Sequence, residues 1–415
     1  MNKTISKKSI LIVEPNYDVI QRFSKELNDN DELITVSKNS ELNILLNKIN
    51  NVVPIQFDVN KENIDKLYRE LRNLKIIPNI VMTFNEFYSK QVVDISSYYN
   101  AFLPQNKILQ LRDKTYMKRQ FEKYNIPHAN GNVYSSFENF MKTNKTPKFP
   151  LIIKPTHGYS SVGVKKISSL SDLEFQFRRI EFLNKLSLSD SKGSIIVEEY
   201  IDGNEYAVDS LWTRGKRIAT FVHRNQSGNG PNFWDHLYFI DPLYSQKVQS
   251  ILEDAEEKVA TATGVMFGFT HTEYRIHNDV PYVIETSNRP AGTGMLFSTI
   301  EKSSGYNMIN LFYKYVLNDS KGYPLKVKYN PDKINFWVSP HFKVQGRFKS
   351  FSGLDEINKL PYIYSVEVYI KNGEYYYSDN SQTTYPLVIK GEIGSNQMLK
   401  CIIKEIEEKV NMNIQ

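Results

Sequence analysis

The sequence predicts an α/β N-terminal unit, then an α+β core, and a C-terminal α+β unit. Three observations carry that reading. The chain has 415 residues, more than the roughly 250–300 at which a single core stops growing, so two or three packed units are expected. Near the N-terminus short apolar runs alternate with stretches of helical periodicity, the pattern of a parallel sheet. From Phe149 onward the pattern changes to many short strands interrupted by two helices.

Taken in order, Ser9-Ile-Leu-Ile-Val-Glu14 reads as a strand, and Asn16–Leu27, with Val19, Ile20, Phe23 and Leu27 at helical spacing, as the helix after it. A second run, Asn79-Ile-Val-Met-Thr-Phe84, follows another helical stretch. The turn after the first strand has no glycine, so backbone cannot approach a pyrophosphate there and dinucleotide binding is disfavoured. Asp113 is placed to cap a helix bearing Met117, Phe121 and Tyr124. Strands are expected at Phe149–Ile153, Gly163–Ile167, Ser194–Ile201, Tyr206–Trp212, Arg217–His223, Thr270–Ile276 and Pro281–Thr286. A capping box at Ser171-Asp-Leu-Glu174 opens one intervening helix, and a second runs from about Ser245 to Thr263 and stops at Gly264. Beyond Leu317 the sequence predicts a hairpin over Val366–Tyr376 turning on Asn372-Gly373, and a last amphipathic helix near Asn396–Val410.

Apolar residues make up 40% of the chain and charged ones 24%, the balance of an ordinary globular protein. The single cysteine, Cys401, excludes an internal disulfide and a cysteine metal site. No apolar stretch approaches the roughly 20 residues that span a bilayer, and Met1–Ile10 is too short and polar for a signal peptide, so no membrane partner and a cytoplasmic location are expected. The 52 basic and 46 acidic residues are scattered, so the net charge of +6 gives no support to nucleic-acid binding. The oligomeric state is left open, a homodimer included.

Three segments can carry chemistry. If residues 270–276 and 281–287 pair as a hairpin centred on Asp279, Glu273 and Glu285 face each other on one side. Two adjacent carboxylates repel, which suits a hard divalent cation between them, although an exposed strand pair can also align two acids. Lys154-Pro-Thr-His-Gly-Tyr-Ser160-Ser161-Val162-Gly163 is a small-residue loop between strands with a lysine at its mouth, fit to wrap a phosphate or simply to turn. It is no Walker loop, because Val164-Lys165-Lys166 and a strand follow it. Ser194–Glu205 is an apolar strand running into Glu198 and Glu199, then a turn at Asp202-Gly203 that leaves Glu205 to accept from paired hydroxyls or to face solvent.

The order of Lys114, Lys154 with its Gly/Ser loop, Glu198-Glu-Tyr-Ile-x-Gly-x-Glu205, Glu273, and Glu285 through Arg289 resembles the ATP-grasp superfamily. Within it the chain is most similar to L-amino acid ligases and related carboxylate–amine ligases. The resemblance implies an N-terminal domain over 1–105, an ATP-grasp domain over 106–318 and a C-terminal lid over 319–415. The middle domain would divide into a small subdomain (about 115–202) and a central sheet (about 203–318), with ATP between two sheets. It also implies Lys114 and Lys154 on the phosphates, Ser160, Ser161 and Val162 closing over them, and Glu198, Tyr200 and Ile201 along the adenine. Glu205 would take the ribose hydroxyls and Arg289 the acyl phosphate and the oxyanion formed on amine attack. Glu273 and Glu285 become the Mg²⁺ ligands, with Mn²⁺ as a substitute. Two further matches are His236, as a substrate-contacting histidine, and Glu86, as an acid for a substrate ammonium. Thr293 stands where some amino acid ligases have tryptophan, which points to a roomier pocket.

One departure matters. Many relatives have asparagine two residues after the second metal glutamate; here that place is Ser287, and Asn288 should face the other way. The implied activity is ATP-dependent amide formation between a small-molecule carboxylate and an amine through an acyl phosphate. Other ATP-grasp branches (purine-pathway or carboxylase type), a peptide-modifying ligase and a nucleotide-binding regulatory pseudoenzyme are the competing readings.

Overall fold

A computed structural model describes residues 7–157, 161, 163–186, 194–227, 233, 235–378, 385–394 and 396–415. Strands β1 (Ser9–Val13), β2 (Glu32–Ser37), β3 (Val52–Gln56) and β4 (Ile80–Thr83) form a parallel sheet in the order β3-β2-β1-β4. Every residue of β1 is buried, as a central parallel strand covered on both faces requires. The helix after β1 spans Tyr17–Ser24, and Asn16 caps it through its side chain. The strand and helix predicted here are both present.

Strands β5 (Gly131–Tyr134), β6 (Leu151–Pro155), β7 (Lys165–Ile167) and β8 (Ile195–Glu199) form an antiparallel sheet in the order β5-β8-β6-β7. The helix Leu170–Leu186 packs Leu173, Phe177 and Ile180 against this sheet. Its first turn is capped by Ser169, whose hydroxyl accepts from the Asp172 amide, and not by Ser171. The helix therefore starts ahead of the expected box.

A larger sheet faces this one. Strands β9 (Asn204–Thr213), β10 (Lys216–Ser227), β11 (Asp235–Ile240), β12 (Gly268–His277), β13 (Val280–Ser287) and β14 (Ile334–Val338) belong to it. Strand β15 (Gly346–Ser352) leaves it, β16 (Ile363–Val368) rejoins it, β17 (Tyr375–Tyr376) leaves again, and β18 (Leu387–Ile393) completes it. The order is β13-β12-β9-β10-β11-β14-β18-β16, while β15 collects β17 and β19 (Asn411–Ile414) into a small separate sheet. The helix Pro242–Thr263, capped by Asp241 and stopped by Gly264 at φ 73°, lies against β10.

The predicted hairpin over Val366–Tyr376 is not formed. Asn372-Gly373 does turn, with Gly373 at φ 81°, but the flanking strands go to different partners. Val368 of β16 pairs with Leu387 of β18, and Tyr376 of β17 with Gly346 of β15. Pairing with β18 packs Val366 against the core containing Leu387 and Ile389, a larger gain than a two-stranded ribbon in water offers.

The turn from β8 into β9 rests on Gly203 at φ 118°, where an added Cβ would lie 2.1 Å from the Ile276 carbonyl oxygen. Gly203→Ala is expected to lower stability by about 2 kcal/mol or more, since it combines backbone strain with a backbone clash. A urea midpoint indistinguishable from wild type would show that the turn relaxes freely.

Candidate active site

Strands β12 and β13 carry the paired acids, and the register that aligns them has two parts. The connection is a two-residue turn, Asn278-Asp279, with both residues at positive φ (49° and 59°) and His277 paired with Val280. That turn alone would set Glu273 opposite Ile284. A bulge between Glu273 and Tyr274 shifts the register by one, so Glu273 faces Glu285 and His271 faces Ser287. The expected pairing thus occurs, but through a bulge rather than a longer turn, a use of bulges common beside functional sites.

Two chambers meet at this pair. The first, a cleft of about 810 Å³, is lined by Lys114, Lys154, Ser161, Glu198, Tyr200, Ile201, Glu205, Glu273 and Glu285, among other residues. The second, about 1200 Å³, is lined by Glu86, Arg289, His271, Ser287 and Thr293 together with Phe84, Phe87, Tyr238, Tyr369 and Tyr385. Ser161, Asp235, Glu273 and Glu285 line both. Ser160 and Val162 lie outside the described residues.

The lysines occupy the acids. Lys114 opens the helix Lys114–Lys123, capped by Asp113, and its Nζ lies 2.6 Å from Glu285 Oε2. Burial alone would raise Glu285, but Lys114, Lys154 and Arg289 bring its carboxyl down to about 2. Glu273 goes the other way. Burial pushes it well above the usual carboxylate range, and Glu285, Asp235 and Glu205 push it further. Among the described residues Glu273 accepts no hydrogen bond and has no cation at salt-bridge distance, while a second carboxylate stands directly opposite. Such a pair fits a hard divalent cation. Among the described residues no group of three or more His, Cys, Asp or Glu could hold a metal ion, so a cation held by Glu273 and Glu285 would draw its other ligands from phosphate oxygens and water, as Mg²⁺ does.

Deeper in the cleft Lys154 on β6 is ion-paired with Glu198 on β8, and Lys118 reaches the same carboxylate at 3.2 Å. Burial opposes the charge on Glu198, yet the two lysines hold its pKa below the ordinary value. Glu205 is clamped by its cross-strand neighbours: Asn225 donates to Oε1 at 2.7 Å, and Arg275 donates to Oε2 at 2.7 and 3.1 Å. Arg275 also donates to the Ile201 carbonyl at 3.0 Å and lies over the Tyr200 ring at 4.9 Å, with Lys166 over that ring at 3.6 Å. Arg275 was missed, although its place two residues after Glu273 puts it on the same face of β12.

In the second chamber Arg289 is paired with Glu86, both contacts falling on Oε2. Burial works against the guanidinium charge, but Glu86 outweighs it and the pKa is raised. Two predicted residues are thus brought together in an unexpected way, since Glu86 holds the arginine. Asn288 is buried and faces away: Oδ1 accepts from the Lys107 amide, and Nδ2 donates to the Phe267 and Phe269 carbonyls. It anchors the chain just before Arg289. Ser287 faces the chamber.

His236 lines neither chamber. Asp235 pairs with Ser227 and Leu237 with Gln226, so His236 is the extra residue of a bulge, with its Nε2 3.4 Å from Glu407 in the last helix. The bulge aims Asp235 inward instead. Tyr238 and Tyr385 both donate their hydroxyls to that carboxylate, a cluster with no sequence signal beyond the position next to His236. His271, on the chamber wall, lies 3.2 Å from the buried Asp209, which also faces His223 at 3.5 Å.

With this geometry in view, residues 147–296 match the family model described as an ATP-grasp domain. The alanine–anticapsin ligase of Bacillus subtilis (strain 168) is 24% identical over 217 residues, 48% of this chain and 45% of that protein. The D-alanine–D-alanine ligase of Flavobacterium psychrophilum is 28% identical over 177 residues, 40% of this chain and 51% of that protein. The chain thus spans about half the length of these curated relatives. Among solved structures, the L-amino acid ligase from Bacillus licheniformis superposes with a TM-score of 0.81 at 19% identity, covering 98% of this chain and 99% of that one. The fold is the ATP-grasp fold.

Burial drives His223 down to about 4 from its ordinary 6.5, against the pull of Asp209. Below pH 6.5 the unfolded chain then binds a proton that the folded chain refuses. Stability from this residue is intact above 6.5 and is lost as pH falls toward 4, by about 3 kcal/mol. Chemical denaturation between pH 7 and 4 should show this loss, and His223→Phe should flatten it; equal slopes in the two proteins would assign the acid sensitivity elsewhere.

Proposed function

We propose, from the match of residues 147–296 to an ATP-grasp domain, that this chain is an ATP- and Mg²⁺-dependent carboxylate–amine ligase acting on amino acids. The observation that carries the reading is the meeting of two chambers at Glu273 and Glu285. One chamber has lysines and a ribose-competent acid, the other an arginine, an acid and aromatic walls. The small-molecule carboxylate and amine occupy the second chamber. The names of the ligases it resembles support the substrate class.

The nucleotide lies in the first chamber, with Tyr200 and Ile201 along the base, Glu205 at the ribose, and Lys114 and Lys154 on the phosphates. Glu273 and Glu285 would hold Mg²⁺, which would supply positive charge against the phosphates. A carboxylate oxygen of the first substrate attacks the γ-phosphorus, the bond to the bridging oxygen breaks, and ADP leaves. The amine nitrogen of the second substrate then attacks the acyl carbon, forming the C–N bond, releasing phosphate and giving up a proton. Arg289 stays charged throughout, and its planar donors suit both the transferring phosphoryl group and the oxyanion. Glu86 fixes the guanidinium through Oε2, and its other oxygen can take a substrate ammonium. Positioning and electrostatics supply most of the rate in such chemistry.

The direct test pairs amino acids with ATP and Mg²⁺, follows phosphate release and weighs the product. The expected result is release that needs both amino acids and a product of their summed mass less one water. Phosphate release that ignores the amine would remove the ligase assignment. Within an active pair, Glu273→Gln should lower Mg²⁺-dependent turnover by about 10²-fold or more, and Arg289→Ala should lower kcat by a similar factor. Wild-type turnover in either variant would reject that residue's role.

A further inference from the structure

Glu198 has two lysines, and only one of them lines the first cleft. Its Oε1 is paired with Lys154 and its Oε2 with Lys118 at 3.2 Å, and all three side chains are buried. Lys154 and Glu198 line the large cleft. Lys118 does not; it lines a smaller cavity of about 310 Å³, which Lys154 and Glu198 also border. Lys118 is also tied down from the far side, since its Nζ donates to the Ala129 carbonyl. It sits four residues after Lys114 in the same helix, on the face turned toward the core.

Two cations on one carboxylate leave a surplus positive charge at the cleft wall, which a phosphate can complete. For Lys154 to bind that phosphate it must let go of Glu198. A buried carboxylate that loses its only counter-ion is strongly destabilised. We propose that Lys118 is the resident counter-ion of Glu198, a positioning residue that lets Lys154 transfer from Glu198 to the phosphates of the nucleotide. This rests on the nucleotide reading of the cleft. It separates the two lysines: Lys154 exchanges partners, whereas Lys118 keeps its own. Lys118 touches neither nucleotide nor substrate, and its effect falls on phosphate affinity alone.

The test compares ADP with adenosine, in the presence of Mg²⁺, by calorimetry on the full chain. Adenosine occupies the cleft without asking Lys154 to move. K118M should weaken ADP on the order of tenfold or more while leaving adenosine affinity within about twofold, and K118R should recover most of the loss. In an E198Q background there is no carboxylate to strand, so E198Q/K118M should bind ADP as E198Q does. That pair also serves if K118M alone does not fold, because the double variant buries no unpaired acid. Equal losses for ADP and adenosine, an unchanged ADP affinity in K118M, or a loss that persists in the E198Q background would each overturn the proposal. Wild-type protein that binds adenosine and ADP in neither case would instead overturn the nucleotide reading on which it stands.

Discussion

The repulsion between Glu273 and Glu285 is the constraint around which this cleft is arranged. Two carboxylates set directly opposite on adjacent strands are unfavourable, and the register that opposes them comes from a bulge that the two-residue turn did not require. The rest of the site answers that charge. Lys114 sits on Glu285 at 2.6 Å, placed by a helix N-terminus that Asp113 caps. Glu273 has no such partner among the described residues; burial, and after it the neighbouring Glu285, pushes its carboxyl well above the ordinary range. The acid left without a cation is the one that the proposed function gives to the metal ion.

Charge compensation elsewhere follows the same logic with different partners. Glu198 has two lysines, Glu205 has Arg275 and Asn225, and Glu86 has Arg289. Asp235 takes two phenolic hydroxyls instead of a cation. Leaving any of these acids buried and unpaired would cost several kcal/mol. The cleft can therefore hold many carboxylates because these four, unlike Glu273, each have an internal partner. A lysine, being a flexible point charge, suits a position such as that of Lys154, where the proposal has the partner change. Arginines, with planar forks, suit positions where geometry must hold.

Much of this was legible in the chain, and the exceptions share a cause. Strand and helix identities followed from periodicity and caps: Asp113 and Gly264 act where expected. The face shared by Glu273 and Glu285 followed from pairing parity. Alternation would also have found Arg275, and helical spacing would have found Lys118, had each been pursued from its neighbour. What could not be read was anything set by a register shift or a distant segment. The bulge in β11 turns His236 outward and Asp235 inward, reversing what strand position alone suggests. Tyr385 reaches Asp235 across 150 residues of sequence. The Asn372-Gly373 turn has strong local chemistry for a hairpin, yet tertiary burial of β16 against β18 decided the pairing. Local rules name the residues that can act, and long-range packing decides which of them are aimed at the site.

Ser287 and Asn288 show the two levels acting on adjacent residues. An asparagine two places after Glu285 would have pointed at the metal pair, but here that place is a serine. Asn288 is committed to the Lys107 amide and two carbonyls at the start of β12. Those bonds fix the backbone from which Arg289 departs, and Glu86 then fixes the guanidinium itself. The arginine is thus constrained at both ends, by a buried amide at its root and a carboxylate at its tip. A donor meant to meet charge that appears only as the reaction proceeds gains most from being held in place beforehand. In the proposed reaction Asn288 would act through the arginine that follows it, by fixing the backbone there, with no bond to the cation.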